Sequence, residues 1–159
     1  MVNKALFSSS KTEWETPEEL YMELDEEFDF LLDPCATKWN SKCLFYIDEE
    51  QNGLTTCWYS YINDRSLNNL KFSVFVNPPY GRGLTEKWVM KAWLESKQHG
   101  LTVVMLLPSR TDQWWFREIC LKYGEVRFLP KRVKFIGASS GAPFPSIVVV
   151  FRGGSNVSM

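Results

Sequence analysis

An α/β fold is predicted, with a mostly parallel, doubly wound sheet and an antiparallel strand near the C-terminus. Three observations predict it. Short apolar runs alternate with helical patterns as far as Gly124. Leu101–Leu107 is a nearly continuous apolar run, the kind buried on both faces of a parallel sheet. After Gly124 the order changes, and strand-like runs follow one another with no long helix between them. An antiparallel closing strand fits that ending.

The elements follow in order. Thr16-Pro17-Glu18-Glu19 reads as a helix start: a Thr cap, Pro in the first position, then two carboxylates near the positive end of the helix dipole. That helix runs to about Phe28, with Leu20, Leu24 and Phe28 on one face. Phe30–Leu32 is a strand ended by Asp33-Pro34, since the residue before proline leaves regular structure. Cys43–Ile47 reads as a second strand and Gln51–Leu54 as a turn. Trp58–Leu70 has no decisive period. Phe72–Val76 is a strand that stops at Asn77-Pro78-Pro79-Tyr80-Gly81. Leu84–His99 is a helix with Trp88, Ala92 and Glu95 along one line, and Gly100 closes it. Asp112–Tyr123 is the last helix, Glu125–Leu129 and Arg132–Ile136 are strands, and Ile147–Phe151 is the final strand after a Gly- and Pro-containing loop at 137–145. One compact domain at 13–152 is expected, with flexible ends at 1–12 and 153–159.

Composition removes several classes. The 159 residues suffice for one sizeable core. No apolar run approaches the ~20 residues of a membrane span, so no membrane partner is expected. Met1–Ser10 lacks the apolar centre of a signal peptide. Four cysteines without a CxxC pair, beside one histidine, predict reduced thiols in a cytoplasmic protein and no structural zinc or other metal. His99 reads as a solvated residue at a helix C-terminus. The net charge of −1 conceals an asymmetry: residues 1–80 sum to −8 and residues 81–159 to +7. The basic half leaves room for a polyanionic partner.

In open parallel sheets, ligands sit beyond the carboxyl ends of the strands. That rule selects Asp33-Pro34-Cys35-Ala36, Asn77-Pro78-Pro79-Tyr80 and Pro108-Ser109-Arg110. The second is the most informative. Its prolines fix φ and carry no N–H, which leaves carbonyls as rigid acceptors. Asn77 adds a side-chain acceptor, and Tyr80 offers a flat ring. The set suits a planar molecule bearing an NH2 group, with two acceptors for two hydrogens and one ring to stack. The plain alternative is a proline-rich turn after a buried strand.

Asn-Pro-Pro-Tyr after an apolar strand resembles the motif of S-adenosylmethionine-dependent amino-methyltransferases. The wider pattern is more specific: Trp14-Glu15-Thr16-Pro17, Leu32-Asp33-Pro34-Cys35-Ala36-Thr37, Asn52-Gly53-Leu54, Asn77-Pro78-Pro79-Tyr80-Gly81, Arg110-Thr111-Asp112, Phe128-Leu129-Pro130 and Ala142-Pro143-Phe144-Pro145-Ser146. It resembles the phage and prophage (Dam-like) family of DNA N6-adenine methyltransferases over roughly residues 13–151. The resemblance implies a Rossmann-like class I methyltransferase fold and S-adenosylmethionine as cofactor, with S-adenosylhomocysteine as product. It also implies methylation of adenine N6 at specific DNA sites, by a monomer or weak homodimer in the host bacterial cytoplasm.

The resemblance also assigns residues. Asn77, Pro78, Pro79 and Tyr80 would be catalytic. Trp14, Thr16, Asp33, Pro34, Cys35, Ala36, Asp48 and Asn77 would hold the cofactor: Asp33 would accept from its ammonium or anchor the loop, and Asp48, an acid after the second strand, is the candidate for its ribose hydroxyls. The glycines usual in the loop after the first strand are replaced by the small residues Cys35 and Ala36. Each position also has a structural reading: Thr16 as a helix cap, Trp14 in the core, Asp33 as a strand-end cap, Asp48 in a solvated acidic turn. The lone pair of adenine's amine is delocalised into the ring. Acceptors at Asn77 and Pro78 would favour a pyramidal nitrogen that attacks the methyl group directly, with no covalent enzyme intermediate. The base would leave the stack and lie against Tyr80.

Arg82, Arg110, Lys131, Arg132 and Lys134 are the expected DNA contacts, with Lys87, Lys91 and Arg117 nearby in sequence; singly, each also reads as a solvated surface charge. No separate recognition domain is left over, so the loops Ser60–Leu70 and Gly137–Pro145 are the expected readers of sequence. Two other readings stay open: an RNA-adenine or protein glutamine-amide methyltransferase, and a non-catalytic binding module on a degenerate fold.

Overall fold

The computed structural model describes residues 14–65 and 71–154. The ends expected to be flexible fall almost wholly outside the described residues. Helices α1 (Glu18–Phe28), α2 (Trp58–Asn63), α3 (Leu84–His99) and α4 (Leu121–Tyr123) accompany strands β1 (Phe30–Asp33), β2 (Phe45–Tyr46), β3 (Ser73–Val76), β4 (Thr102–Pro108), β5 (Glu125–Phe128) and β6 (Ser146–Phe151). They form one six-stranded sheet in the order β2-β1-β3-β4-β6-β5. Strands β1 to β4 pair in parallel. β6 runs antiparallel between β4 and β5. This mostly parallel α/β sheet with its antiparallel strand near the C-terminus is compatible with a Rossmann-like fold.

The strand sequences explain the core. All six residues of β6 are buried, and β4 is buried from Val103 onward. Successive side chains point to opposite faces, and the core divides accordingly. Val74, Val76, Val103, Met105 and Leu107 pack with Trp58 and Ile62 of α2 and Trp88, Val89 and Ala92 of α3. Phe30, Phe75, Val104 and Leu106 pack with Tyr21, Leu24 and Phe28 of α1, and with Tyr80, Val133 and Phe135.

α3 has the predicted bounds, because Gly83 and Gly100 flank it in the left-handed region at φ 76° and 70°. Other elements differ from expectation. α1 begins at Glu18 after Pro17, and Thr16 caps nothing. Its inward face adds Tyr21 to the expected Leu24 and Phe28, with Leu20 half-buried against the same cluster. β2 shrinks to two residues. Trp58–Asn63 is helical. The expected helix from Asp112 starts at Trp114 and is π-helical over Phe116–Cys120. Arg132–Ile136 is not a strand. Its alternation is real, with Val133 and Phe135 buried. Its backbone, however, bonds to loops: Ala142 N–H donates to Val133 O, and Ile136 N–H donates to Glu15 O. Alternation reports which face is buried, and cannot tell a ladder from an extended loop.

Candidate active site

From β1 the chain moves outward to β2, then crosses back to β3 on the other side of β1. The order therefore reverses between β1 and β3, where open α/β sheets bind ligands. A cavity of about 1010 Å³ opens there. Asp33, Pro34, Cys35 and Ala36 from the end of β1 line it, as do Asp48 after β2 and Asn77, Pro78 and Pro79 after β3. Trp14 and Thr16 line it from the N-terminal side. All eight residues expected to hold the cofactor thus border one cavity.

Asn77 joins these walls. Its amide Nδ2 donates to Trp14 O and to Thr16 Oγ1, the latter at 2.9 Å. The hydroxyl expected to cap α1 instead tethers Asn77. The Cys35 thiol donates to Asn77 O at 3.2 Å, which ties the β1 loop to the β3 loop. Burial pushes that thiol well above its ordinary pKa, so Cys35 remains a neutral donor. Ala36 N–H donates to Ile47 O at 3.2 Å, and Ile47 N–H to Asp33 O at 2.9 Å. Small side chains at Cys35 and Ala36 let this loop lie close against β2.

Asp33 is buried, and its Oδ1 accepts from Cys35 N–H at 3.2 Å. Burial pushes its carboxyl up to about 7, against the opposing pull of the Cys35 hydrogen bonds and the Lys42 charge. A carboxylate in this setting is short of positive charge. Asp48 Oδ1 accepts from Gln51 N–H at 2.9 Å and shapes the turn that leads to Asn52 and Gly53. At Gly53 the backbone is so close to the β1 loop that a Cβ would collide with Pro34 O.

Tyr80 is placed differently from expectation. Its ring is buried, edge-on to Phe135 and Phe144 at 6.4 and 5.7 Å. Those rings come from the segment after β5, which sequence reading did not connect with the motif. The ring thus presents no open face to a base. Its hydroxyl lies 2.9 Å from both Asn77 Oδ1 and Leu106 O and donates toward them. Tyr80 aims Asn77. Trp14 packs on the same aromatic group, 5.3 Å from Phe135 and 5.4 Å from Phe144.

Sequence reading missed Trp88 as a wall of the cavity, because its spacing on α3 marks it equally as core. Its buried indole N–H has no acceptor among the described residues. The buried carboxylate, the unpartnered donor and the cavity size together fit a nucleoside cofactor with a cationic amino-acid end.

The basic residues are distributed unevenly. Arg82 follows the β3 motif, Arg110 follows β4, and Lys131, Arg132 and Lys134 follow β5. β5 is parallel to β4 because both run antiparallel to β6. All five therefore emerge at the carboxyl end of the sheet, with the cavity, and all five are exposed. Arg132 Nη1 donates to Ala142 O at 3.4 Å. By contrast, Arg127 and Arg152 pair with Glu27 and Glu125. Lys91 pairs with Glu95 and Lys122 with Glu118. Of the two expected reader loops, Gly137–Pro145 lies beside the motif: Ser109 N–H donates to Pro145 O, and Phe144 touches Tyr80. The other falls partly outside the described residues. Ser60–Asn63 is part of α2, residues 66–70 lie outside the described residues, and Lys71 resumes beside Gly100 at the amino end of β4.

A mostly parallel α/β sheet with a cavity at its switch point is compatible with the class of Rossmann-like enzymes. Comparison with known proteins narrows that class. The family described as DNA N-6-adenine-methyltransferase (Dam) matches residues 4–153, and the chain belongs to it. The DNA N-6-adenine-methyltransferase of Haemophilus phage HP1 is 31% identical over 153 residues, covering 91% of this chain and 80% of the phage protein. That of Escherichia phage T1 is 30% identical over 106 residues, covering 66% of this chain and 39% of the phage protein.

Proposed function

We propose that this chain is a class I, doubly wound methyltransferase that transfers a methyl group from S-adenosylmethionine to the N6 amine of adenine at specific sites in DNA. One observation carries the reading: two strand-end segments far apart in sequence, Asp33–Ala36 and Asn77–Pro79, line one cavity at the switch point. S-adenosylmethionine, when bound, supplies an electrophilic methyl on sulfur. Asp33 would accept from its ammonium, Asp48 from its ribose hydroxyls, and the Trp88 indole N–H would donate to it. The protein works in the host bacterial cytoplasm, as a monomer or weak homodimer.

Asn77 Oδ1 and the Pro78 carbonyl accept the two hydrogens of the adenine amine. The nitrogen then has its lone pair directed along the line of attack. Positioning of this kind removes much of the barrier, and fixed dipoles stabilise the positive charge that develops on nitrogen. Two tethers hold Asn77 in place: Trp14 and Thr16 from one side and the Tyr80 hydroxyl from the other. The neutral Cys35 thiol takes no covalent part. Transfer of labelled methyl to unmethylated DNA, with RNA and a glutamine-containing protein as controls, tests the reading. Label on adenine N6 of DNA alone is the expected result, and label confined to RNA or protein sinks it.

The exposed cations at the carboxyl end supply the DNA surface. Arg82 and Arg110, exposed after β3 and β4, contact phosphates. For Arg82→Ala and Arg110→Ala together, DNA affinity falls and its salt dependence becomes shallower, by about 0.9 in log–log slope for each phosphate no longer neutralised. An unchanged slope in a binding titration across salt concentrations removes these two from the interface.

A further inference from the structure

Away from the cavity, the junction of α2 with the end of α3 gathers a second set of chemically capable groups. Cys57 precedes α2, and Glu95 and His99 lie one turn apart on α3. Cys57 Sγ is 3.5 Å from His99 Nε2, and Glu95 Oε2 is 3.9 Å from the same nitrogen. One ligand atom from each of the three lies within 4.8 Å of the others. We propose that Cys57, Glu95 and His99 bind a zinc-class divalent ion, which staples α2 to α3.

The state of Glu95 carries this furthest. The residue is buried at 3% exposure, the one ionisable side chain among the buried residues of α3. Its Oε1 is fully engaged, by the Trp58 N–H at 3.1 Å and by Lys91 Nζ. Its Oε2 is buried and has no hydrogen-bond partner among the described residues. A carboxylate oxygen left bare inside a protein is costly. Here it points toward an imidazole nitrogen and a thiol. Cys, His and carboxylate are the three ligand types of zinc, with bonds of about 2.0–2.3 Å. Ligand atoms at tetrahedral angles on such bonds lie about 3.3–3.8 Å apart, and the 3.5 and 3.9 Å separations from His99 Nε2 are close to that spacing.

The surrounding contacts resemble an outer shell. The Tyr59 ring stacks on His99 at 5.1 Å with planes 5° apart, which fixes the imidazole plane. Lys91 and the Trp58 N–H hold the carboxylate by its other oxygen, the arrangement that orients ligating carboxylates. His99 is 28% exposed, which leaves an approach for the ion and a fourth position for water. The ligand is the thiolate, so binding releases the Cys57 thiol proton to solvent. Sequence patterns alone do not reveal the site, because Cys57 stands far from the other two and no CxxC pair marks it.

The test is titration of the full-length protein with Co²⁺ alone, then with Zn²⁺ alone. One equivalent of Co²⁺ is expected, with thiolate-to-cobalt absorption in the near ultraviolet and intense visible bands of four-coordinate geometry. Zn²⁺ should displace it and raise the thermal unfolding midpoint. Cys57→Ser should lose the charge-transfer band, and both Cys57→Ser and His99→Gln should lose the rise in midpoint. Far-ultraviolet circular dichroism checks that both variants fold. Should either fail to fold, the parent decides through its charge-transfer band and the displacement of cobalt by zinc. No cobalt uptake by the parent overturns the proposal, as does a charge-transfer band that survives in Cys57→Ser.

Discussion

Asn77→Ala is expected to reduce methyl transfer by at least roughly 10²–10³-fold, the scale on which removal of one preorganised polar group acts. The loss has two parts. The acceptor for one amine hydrogen disappears, and so does the donor that fixes Trp14 O and Thr16 Oγ1. The first acts on the chemical step, and the second loosens the N-terminal wall of the cofactor cavity. Single-turnover rates at saturating cofactor, with affinity from calorimetry, separate them: the rate falls far more than the affinity. A rate within about tenfold of the parent sinks the assignment of Asn77. Tyr80→Phe then distinguishes the two roles offered for Tyr80. It keeps the ring and deletes only the hydroxyl that reaches Asn77 Oδ1 and Leu106 O. A purely stacking ring tolerates the change. A ring that aims Asn77 through its hydroxyl does not, and the buried Leu106 carbonyl is deprived of a partner, which costs about 1–3 kcal/mol in stability.

Much of this site was legible because its chemistry is local. Asp-Pro and Asn-Pro-Pro interrupt apolar runs, and a residue that cannot continue a strand marks where the strand stops. Strand ends on one edge of a parallel sheet then share a surface, so Asp33 and Asn77 could be associated before any coordinates. Gly100 marked the end of α3 for a similar reason, since its left-handed backbone suits glycine. What was not legible depends on contacts between distant segments. Thr16 looks like a helix cap in isolation, yet its hydroxyl serves a side chain 61 residues away. Tyr80 looks like an open platform until Phe135 and Phe144 are seen to cover it. Lys131–Phe135 alternates like a strand because one side is buried, while its carbonyls and N–H groups find loops instead of a ladder. The charge asymmetry between the halves was legible as a sum. That Lys131, Arg132 and Lys134 join Arg82 and Arg110 at the cavity end depends on the antiparallel insertion of β6, which sets β5 parallel to β4.

Asp33→Asn should make the ligand-free protein more stable above neutrality and should weaken cofactor binding. Burial raises the folded-state pKa of Asp33 to about 7, whereas an unfolded chain holds it near its ordinary value of about 3.9. Between those values the folded protein keeps a proton that the unfolded chain has released. The contribution of Asp33 to stability is therefore full below about pH 4 and declines as pH rises to about 7, because stability falls with pH wherever the native state binds more protons. By the scale of 1.36 kcal/mol per pKa unit, the loss is at most about 4 kcal/mol, and water in the cavity reduces it. An amide in place of this carboxyl carries no such proton, so the unfolding free energy of the variant should not show this decline. A bound ammonium reverses the balance by favouring the carboxylate. Binding below about pH 7 then expels the Asp33 proton, and affinity climbs by up to about tenfold per pH unit between about 5 and 7 before it levels. In Asp33→Asn the affinity is lower and lacks that climb. Calorimetry in buffers of different ionisation enthalpy reads the proton directly. A parent protein that releases none at about pH 6, with affinity flat across this range, places the ammonium elsewhere and leaves Asp33 as the anchor of the Cys35 loop alone.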